Sequence, residues 1–260
     1  MKFLLEPRDG TWVAMADRFR KEDGSWPDHL TALTELRERV SSPQKWYMDF
    51  DDNHAPSPAK EIAKRALGTS RFNPTYVRWA AGTAWALATK GKAAESERWK
   101  AYIDHFLQNF ESIEEVAIAF PPEHLCFYAG VPEWCSLLVD QNAALHYISR
   151  NIEEVLSAYI EAMRLQTDGK VEPLCHQEIF DKAAFVQQHS FCHRPPLYIR
   201  PSFGVEGDSS EDGDMIDALR QHNAPVVGIY SMDSPRGRMD PRFDYAVSKD
   251  RRGLVELLKI

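Results

Sequence analysis

Hydrophobic and polar positions follow one another in short blocks along the 260-residue chain, and the blocks change period repeatedly. Lys2-Phe3-Leu4-Leu5 predicts a first strand, closed by Pro7, Asp9 and Gly10, whereas residues 12 to 19 fit strand and helix equally. Gly24-Ser25-Trp26-Pro27 predicts a helix start, with Ser25 as cap and Pro27 in the first turn. Leu30, Leu33, Leu36 and Val40 then form a helical stripe that Pro43 ends. Lys45 to Phe50 has the aromatic density of a strand, and Ser57-Pro58 opens a further helix toward Leu67 and Gly68. Residues 76 to 89 carry no decisive period. Glu95 to Phe110 reads as the clearest helix, with Trp99, Tyr102, Ile103, Phe106, Leu107 and Phe110 on one face. Glu115 to Phe120 suits a strand.

In the second half, Asn142 to Leu165 reads as a long helix ended by Asp168-Gly169, and Gln177 to Gln188 as another. Leu197 to Arg200 suits a short strand, Gly204 to Asp214 a polar acidic loop, and Asp214 to His222 a helix capped by Asp214. Pro225 to Tyr230 and Phe243 to Val247 suit strands, and Gly253 to Ile260 a closing helix. This mixture predicts an α+β fold class, a mixed α/β single domain over residues 1–260 with a sheet packed by several helices. A possible sub-domain boundary lies near 194–196, at Pro195-Pro196.

Composition narrows the function. With 39 Asp and Glu against 31 Lys and Arg, the formal charge is -8, which argues against direct nucleic-acid binding. Four cysteines in a chain of this length form no disulfide framework. The apolar run at the N-terminus is too short for a signal-peptide core, and no stretch is long enough for a membrane span, so a cytoplasmic location is expected. Aromatic residues make up 11% although mean hydropathy is -0.45. Together with the absence of P-loop, GxGxxG, GxSxG, HExxH and paired CxxC patterns, this favours work by shape and contact.

Three constellations could carry chemistry. Cys175, His176, His189, Cys192 and His193 offer zinc-type ligands, but Cys175 and His176 are adjacent and only His189 and Cys192 have a usable interval. Asp208 to Asp214 begins like a calcium loop, yet Leu219 stands where a bidentate Glu is needed. No cofactor and no bound zinc or calcium are therefore expected. Asp49, Asp51 and Asp52 could act as hydrolytic acids or magnesium ligands. The same residues also suit an interface: Asp49, Asp51 and Asp52 form one acidic patch, and Glu206, Asp208, Glu211, Asp212 and Asp214 a second. Carboxylates so placed would pair with the basic cleft of a partner protein.

A leading strand and a helix ending near Val40 precede Trp46-Tyr47, and a polar loop then leads to the helix start Pro58-Ala59-Lys60-Glu61. Over residues 1–68 this layout resembles the immunity protein 52 family, which is paired with polymorphic toxins such as type VI secretion effectors. The resemblance implies a stoichiometric inhibitor without catalytic residues that neutralises a cognate toxin with a basic surface. The alternative is a metal-dependent hydrolase using the Cys175 to His193 cluster or the Asp49 to Asp52 carboxylates.

Overall fold

The computed structural model describes residues 1–56, 125–149, 153–177, 181–191 and 201–259. The elements expected at 57–68, 76–89, 95–110, 115–120 and 197–200, and the boundary at 194–196, lie outside the described residues.

One eight-stranded sheet organises the chain, in the order β1-β2-β8-β7-β6-β3-β4-β5. Its strands are β1 (Lys2–Arg8), β2 (Thr11–Met15), β3 (Lys45–Met48), β4 (Ala144–Ser149), β5 (Leu174–Gln177), β6 (Phe203–Gly207), β7 (Val226–Met232) and β8 (Tyr245–Ser248). β1 and β2 form an antiparallel hairpin along one edge, and β2 pairs antiparallel with β8. The hairpin turns at Asp9 and Gly10, both with positive φ (50° and 81°), which matches the right-handed strand twist. The other six strands run parallel. The mixed α/β layout of a sheet packed by helices is thus as the sequence pattern predicts.

Among the described residues the helices are α1 (His29–Ser41), α2 (Val131–Asp140), α3 (Glu153–Gln166), α4 (Lys182–Phe191), α5 (Ser210–Arg220) and α6 (Arg252–Lys259). Side chains of α1, α2, α3 and α6 share one core with Trp46, Met48, Leu145 and Tyr147. Val186 of α4 and Met215, Ile216 and Leu219 of α5 close over Tyr47, Ile148, Phe203 and Val205. Strand alternation therefore sends Trp46 and Met48 to one face and Tyr47 to the other. No helix among the described residues is long and apolar enough to cross a membrane.

Several expected boundaries move, each for a physical reason. α1 starts at His29, because the Asp28 side chain accepts the Thr31 N–H and caps it there. Its buried positions are Ala32, Leu36 and Val40, one i, i+4 row, while Leu30 is 71% exposed. The expected helix from Asn142 splits into β4 and α3, because β4 is buried on both faces and shows no alternation. Gln177 closes β5, and α4 begins only at Lys182. The expected acidic loop from Gly204 to Asp214 is β6 followed by the first turn of α5. Ser209, not Asp214, caps that helix through a capping box with Asp212.

Candidate active site

The parallel strands read β5-β4-β3-β6-β7-β8 across the sheet. From β3 the chain progresses to β4 and β5 on one side, then returns to place β6 on the other. The carboxyl ends of β3 and β6 therefore flank a topological switch point, where open α/β sheets bind ligands. The acidic residues of the sequence gather there. Asp49 follows directly on β3, and its backbone N–H donates to the Glu206 carbonyl of β6 at 2.8 Å. Asp208 follows directly on β6.

The segment after β3 is held from below. Asn53 and His54 are fully buried. The Asn53 amide donates to the Asp49 carbonyl at 2.9 Å, and His54 Nδ1 lies 2.6 Å from the Tyr147 hydroxyl. Phe50 packs edge-on to Tyr147 and Tyr159 at 5.3 and 4.5 Å. Asp51 forms a bridge with Ala55 across the turn, and its carboxylate accepts from the Ser149 hydroxyl at 3.2 Å, at the end of β4.

Lys182, the first residue of α4, is buried and donates to Asp49 Oδ1 at 2.7 Å and to Asp212 Oδ1 at 2.9 Å. The second Asp212 oxygen accepts from the Asp208 N–H, the Ser209 N–H and the Ser209 hydroxyl at 3.2, 3.1 and 2.7 Å. Gly207 makes room for this arrangement: a Cβ there would lie 2.3 Å from Asp212 Cβ. One carboxylate oxygen each from Asp49, Asp208 and Asp212 fall within 4.8 Å of one another.

Charge is unbalanced at this point. Burial pushes the Asp49 carboxyl well above its ordinary range, Lys182 pulls it down, and Asp212, Asp208 and Asp51 push it up again. Burial and the neighbouring Asp212 raise Asp208 to about 6, against the pull of Lys249 and Lys182. Burial alone would lower Lys182, but Asp212 and Asp49 hold its ammonium well above the usual range. Lys182 thus bonds two of the carboxylates, and the third, Asp208, feels Lys249 and Lys182. An all-oxygen set with surplus negative charge suits a hard divalent cation such as Mg²⁺. Asp49 and Asp208 are the residues to hold it, because Asp212 already spends both oxygens on hydrogen bonds.

On the opposite face of the sheet, Glu206 is fully buried and bound to Arg251, whose Nε and Nη2 reach Oε1 at 2.9 and 2.5 Å. The Trp134 indole donates to Oε2 at 2.8 Å. Burial alone would raise this carboxyl, but His54 and Arg251 override it and bring it down to about 2.

The two acidic runs are thus not two surface patches. Asp49, Asp208 and Asp212 converge, Asp51 stands beside them and Asp52 occupies the following turn with φ 58°. Glu206 points away into the core, Glu211 lies in the first turn of α5, and Asp214 is exposed and paired with Arg242. Asp49 in particular is not a solvent-facing interface residue, because it is buried on a lysine. Of the cysteine and histidine set, His176 and His189 come together, while Cys175 packs into the other core and Cys192 and His193 lie outside the described residues. Lys182, Ser149 and Arg251 carry no local sequence signal. Their roles arise only when distant segments meet.

These features define a doubly wound α/β fold with an acid-and-lysine cluster at its switch point. No family model matches the chain, and no curated protein is similar to it in sequence. Among solved structures it is similar to cytosolic 5'-nucleotidase IIIB bound to cytidine, at 14% identity and a TM-score of 0.54, covering 97% of this chain and 94% of that one. It is also similar to a haloacid dehalogenase-like hydrolase from Burkholderia xenovorans LB400, at 12% identity and a TM-score of 0.50, covering 82% and 94%. At such identities the likeness establishes the fold. It corrects the resemblance to the immunity protein 52 family, and with it the expectation of a toxin-neutralising inhibitor without catalytic residues: the chain has the fold of hydrolases.

Proposed function

We propose that the chain is a divalent-cation-dependent phosphohydrolase in which Asp49 attacks phosphorus. The observation that carries this reading is the buried Asp49–Lys182–Asp212 cluster with Asp208 beside it at the switch point. Lys182 and Lys249 do not balance Asp49, Asp51, Asp208 and Asp212, so an anionic substrate would be repelled unless a cation joined them. Mg²⁺ held by Asp49 and Asp208 would supply charge neutralisation and orientation of the phosphoryl oxygens. A 2-haloacid substrate gives no reason for such a surplus of carboxylates, which favours the phosphate ester.

Lys182 fixes one Asp49 oxygen and holds positive charge beside the transferring group. An Asp49 oxygen bonds to phosphorus as the ester P–O bond breaks. Asp51, half-buried on the outer side and oriented by Ser149, gives its proton to the leaving oxygen. It then takes a proton from the water that attacks phosphorus. The aspartyl P–O bond breaks, phosphate leaves and the Asp49 carboxylate is restored. Nucleoside 5'-monophosphates are the first substrate class to test, since the nucleotidase shares this fold over nearly its whole length. A cytoplasmic setting, which that neighbour's name also carries, belongs to the same proposal.

The test is phosphate release from a panel of nucleotides, sugar phosphates and p-nitrophenyl phosphate, with Mg²⁺ and with EDTA. The reading requires release with Mg²⁺ that EDTA stops and that Asp49→Asn lacks. Chloride release from 2-chloropropionate without phosphate release from any ester would replace it with dehalogenation.

A further inference from the structure

We propose that His146, His176 and His189 form a second metal site, for a borderline transition-metal ion such as zinc, separate from the carboxylate cluster. The three rings arrive from β4, β5 and α4, and one ring nitrogen from each lies within 4.8 Å of the others. His146 Nδ1 and His176 Nε2 are 3.1 Å apart. Two nitrogens bound tetrahedrally to zinc at about 2.0–2.1 Å are separated by roughly 3.3 Å, so one edge of the ligand triangle already has its bound length. The His189 ring centroid is 4.8 Å from that of His146 and 5.2 Å from that of His176. His189, half-buried, supplies the third corner of the triangle.

The surroundings prepare these rings as ligands. Burial holds all three below the ordinary histidine range, and with the neighbouring His189 and His176 it takes His146 down to about 3. Neutral imidazole is the form that binds metal. The Tyr47 hydroxyl lies 3.0 Å from His189 Nδ1 and 2.8 Å from the Ser190 hydroxyl, which orients the ring and leaves its Nε2 for the metal. Phe185 covers His176 and His189. The set contains no carboxylate, so Mg²⁺ and Ca²⁺ are not its ions, whereas imidazole suits zinc, copper and nickel. His146 is what the sequence spacing could not supply, because β4 brings it in from a different segment, and with it the expectation of no bound zinc is revised.

The site also bears on the acidic cluster. α4 carries Lys182 at its first turn and His189 at its last, about 10 Å apart along a helix rising 1.5 Å per residue. An ion on the histidines would clamp this helix to β4 and β5.

The experiment uses untagged full-length protein, saturated with Mg²⁺, exposed to Zn²⁺ and desalted before elemental analysis. Wild type should retain about one zinc. His176→Gln and His189→Gln should each retain almost none, while Asp208→Asn keeps it. Metal-free melting curves of each variant check folding. Co²⁺ titration of the wild type needs no variant: the strong visible bands of a tetrahedral nitrogen site support the assignment, and an octahedral spectrum overturns it. Zinc that is not retained, or that is lost from Asp208→Asn but kept by both histidine variants, overturns it as well.

Discussion

Replacing Arg251 with Met tests the polar core beneath the site. Arg251 is fully buried and donates to Glu206, to Asn53 Oδ1 at 2.8 Å, to the Ser231 hydroxyl at 3.0 Å and to the Ser248 carbonyl. Met fills most of the volume but leaves Glu206 charged, buried and without its guanidinium partner. Breaking one side of a buried pair costs about 3–5 kcal/mol. The drop of Glu206 from 4.5 to about 2 gives an independent figure. At about 1.4 kcal/mol per tenfold, this is about 3 kcal/mol, shared between Arg251 and His54. The carboxyl is lowered in the folded state, so its contribution is full above 4.5 and is lost as pH falls toward about 2. Urea unfolding at neutral pH should therefore show Arg251→Met less stable by about 3–5 kcal/mol. The deficit should narrow on acidification, as the orphaned carboxyl takes up a proton. Adding Glu206→Met should recover at least about 1 kcal/mol, since the buried charge is then gone. A single variant within about 1 kcal/mol of wild type, or a double variant worse than the single, would refute this reasoning.

Two further perturbations bear on the catalytic cluster. Lys182→Met should lower turnover by about 10²–10³-fold, the usual cost of losing one electrostatic stabiliser, in steady-state assays on protein whose melting is checked separately. Gly207→Ala forces a Cβ to within 2.4 Å of the Asp212 Cγ, so Asp212 must leave the helix cap. It should cost about 1–3 kcal/mol in stability and most of the activity, and an unaltered melt with full activity would mean that Asp212 need not stay where it is.

What the chain reveals of this fold depends on how each element is buried. β3 was legible because Lys45 to Phe50 is dense in aromatics, and α1 because Leu36 and Val40 repeat at helical spacing. β4 and β6 were not: central parallel strands are buried on both faces and lose the alternation that marks a strand. β6 is further disguised by Glu206, whose acidity reads as surface until Arg251 is found beside it. The acids themselves were visible as two runs far apart in sequence. Only the parallel pairing of β3 with β6 merges Asp49 with Asp208, and only α4 brings Lys182 between Asp49 and Asp212. For the same reason the sequence pattern joins His176 and His189 but not His146, which β4 brings in from a separate segment.

The central claim is that Asp49 forms the bond to phosphorus. It can be tested at that atom: turn the enzyme over on its best phosphate ester with Mg²⁺, quench in acid, reduce with borohydride and map the peptides by mass spectrometry. Borohydride converts an acyl phosphate to an alcohol, so the account predicts homoserine in place of Asp49, dependent on substrate and absent from Asp49→Asn. An enzyme that releases phosphate while Asp49 stays unmodified, or that carries the label on Asp51 or Asp208 instead, would contradict it.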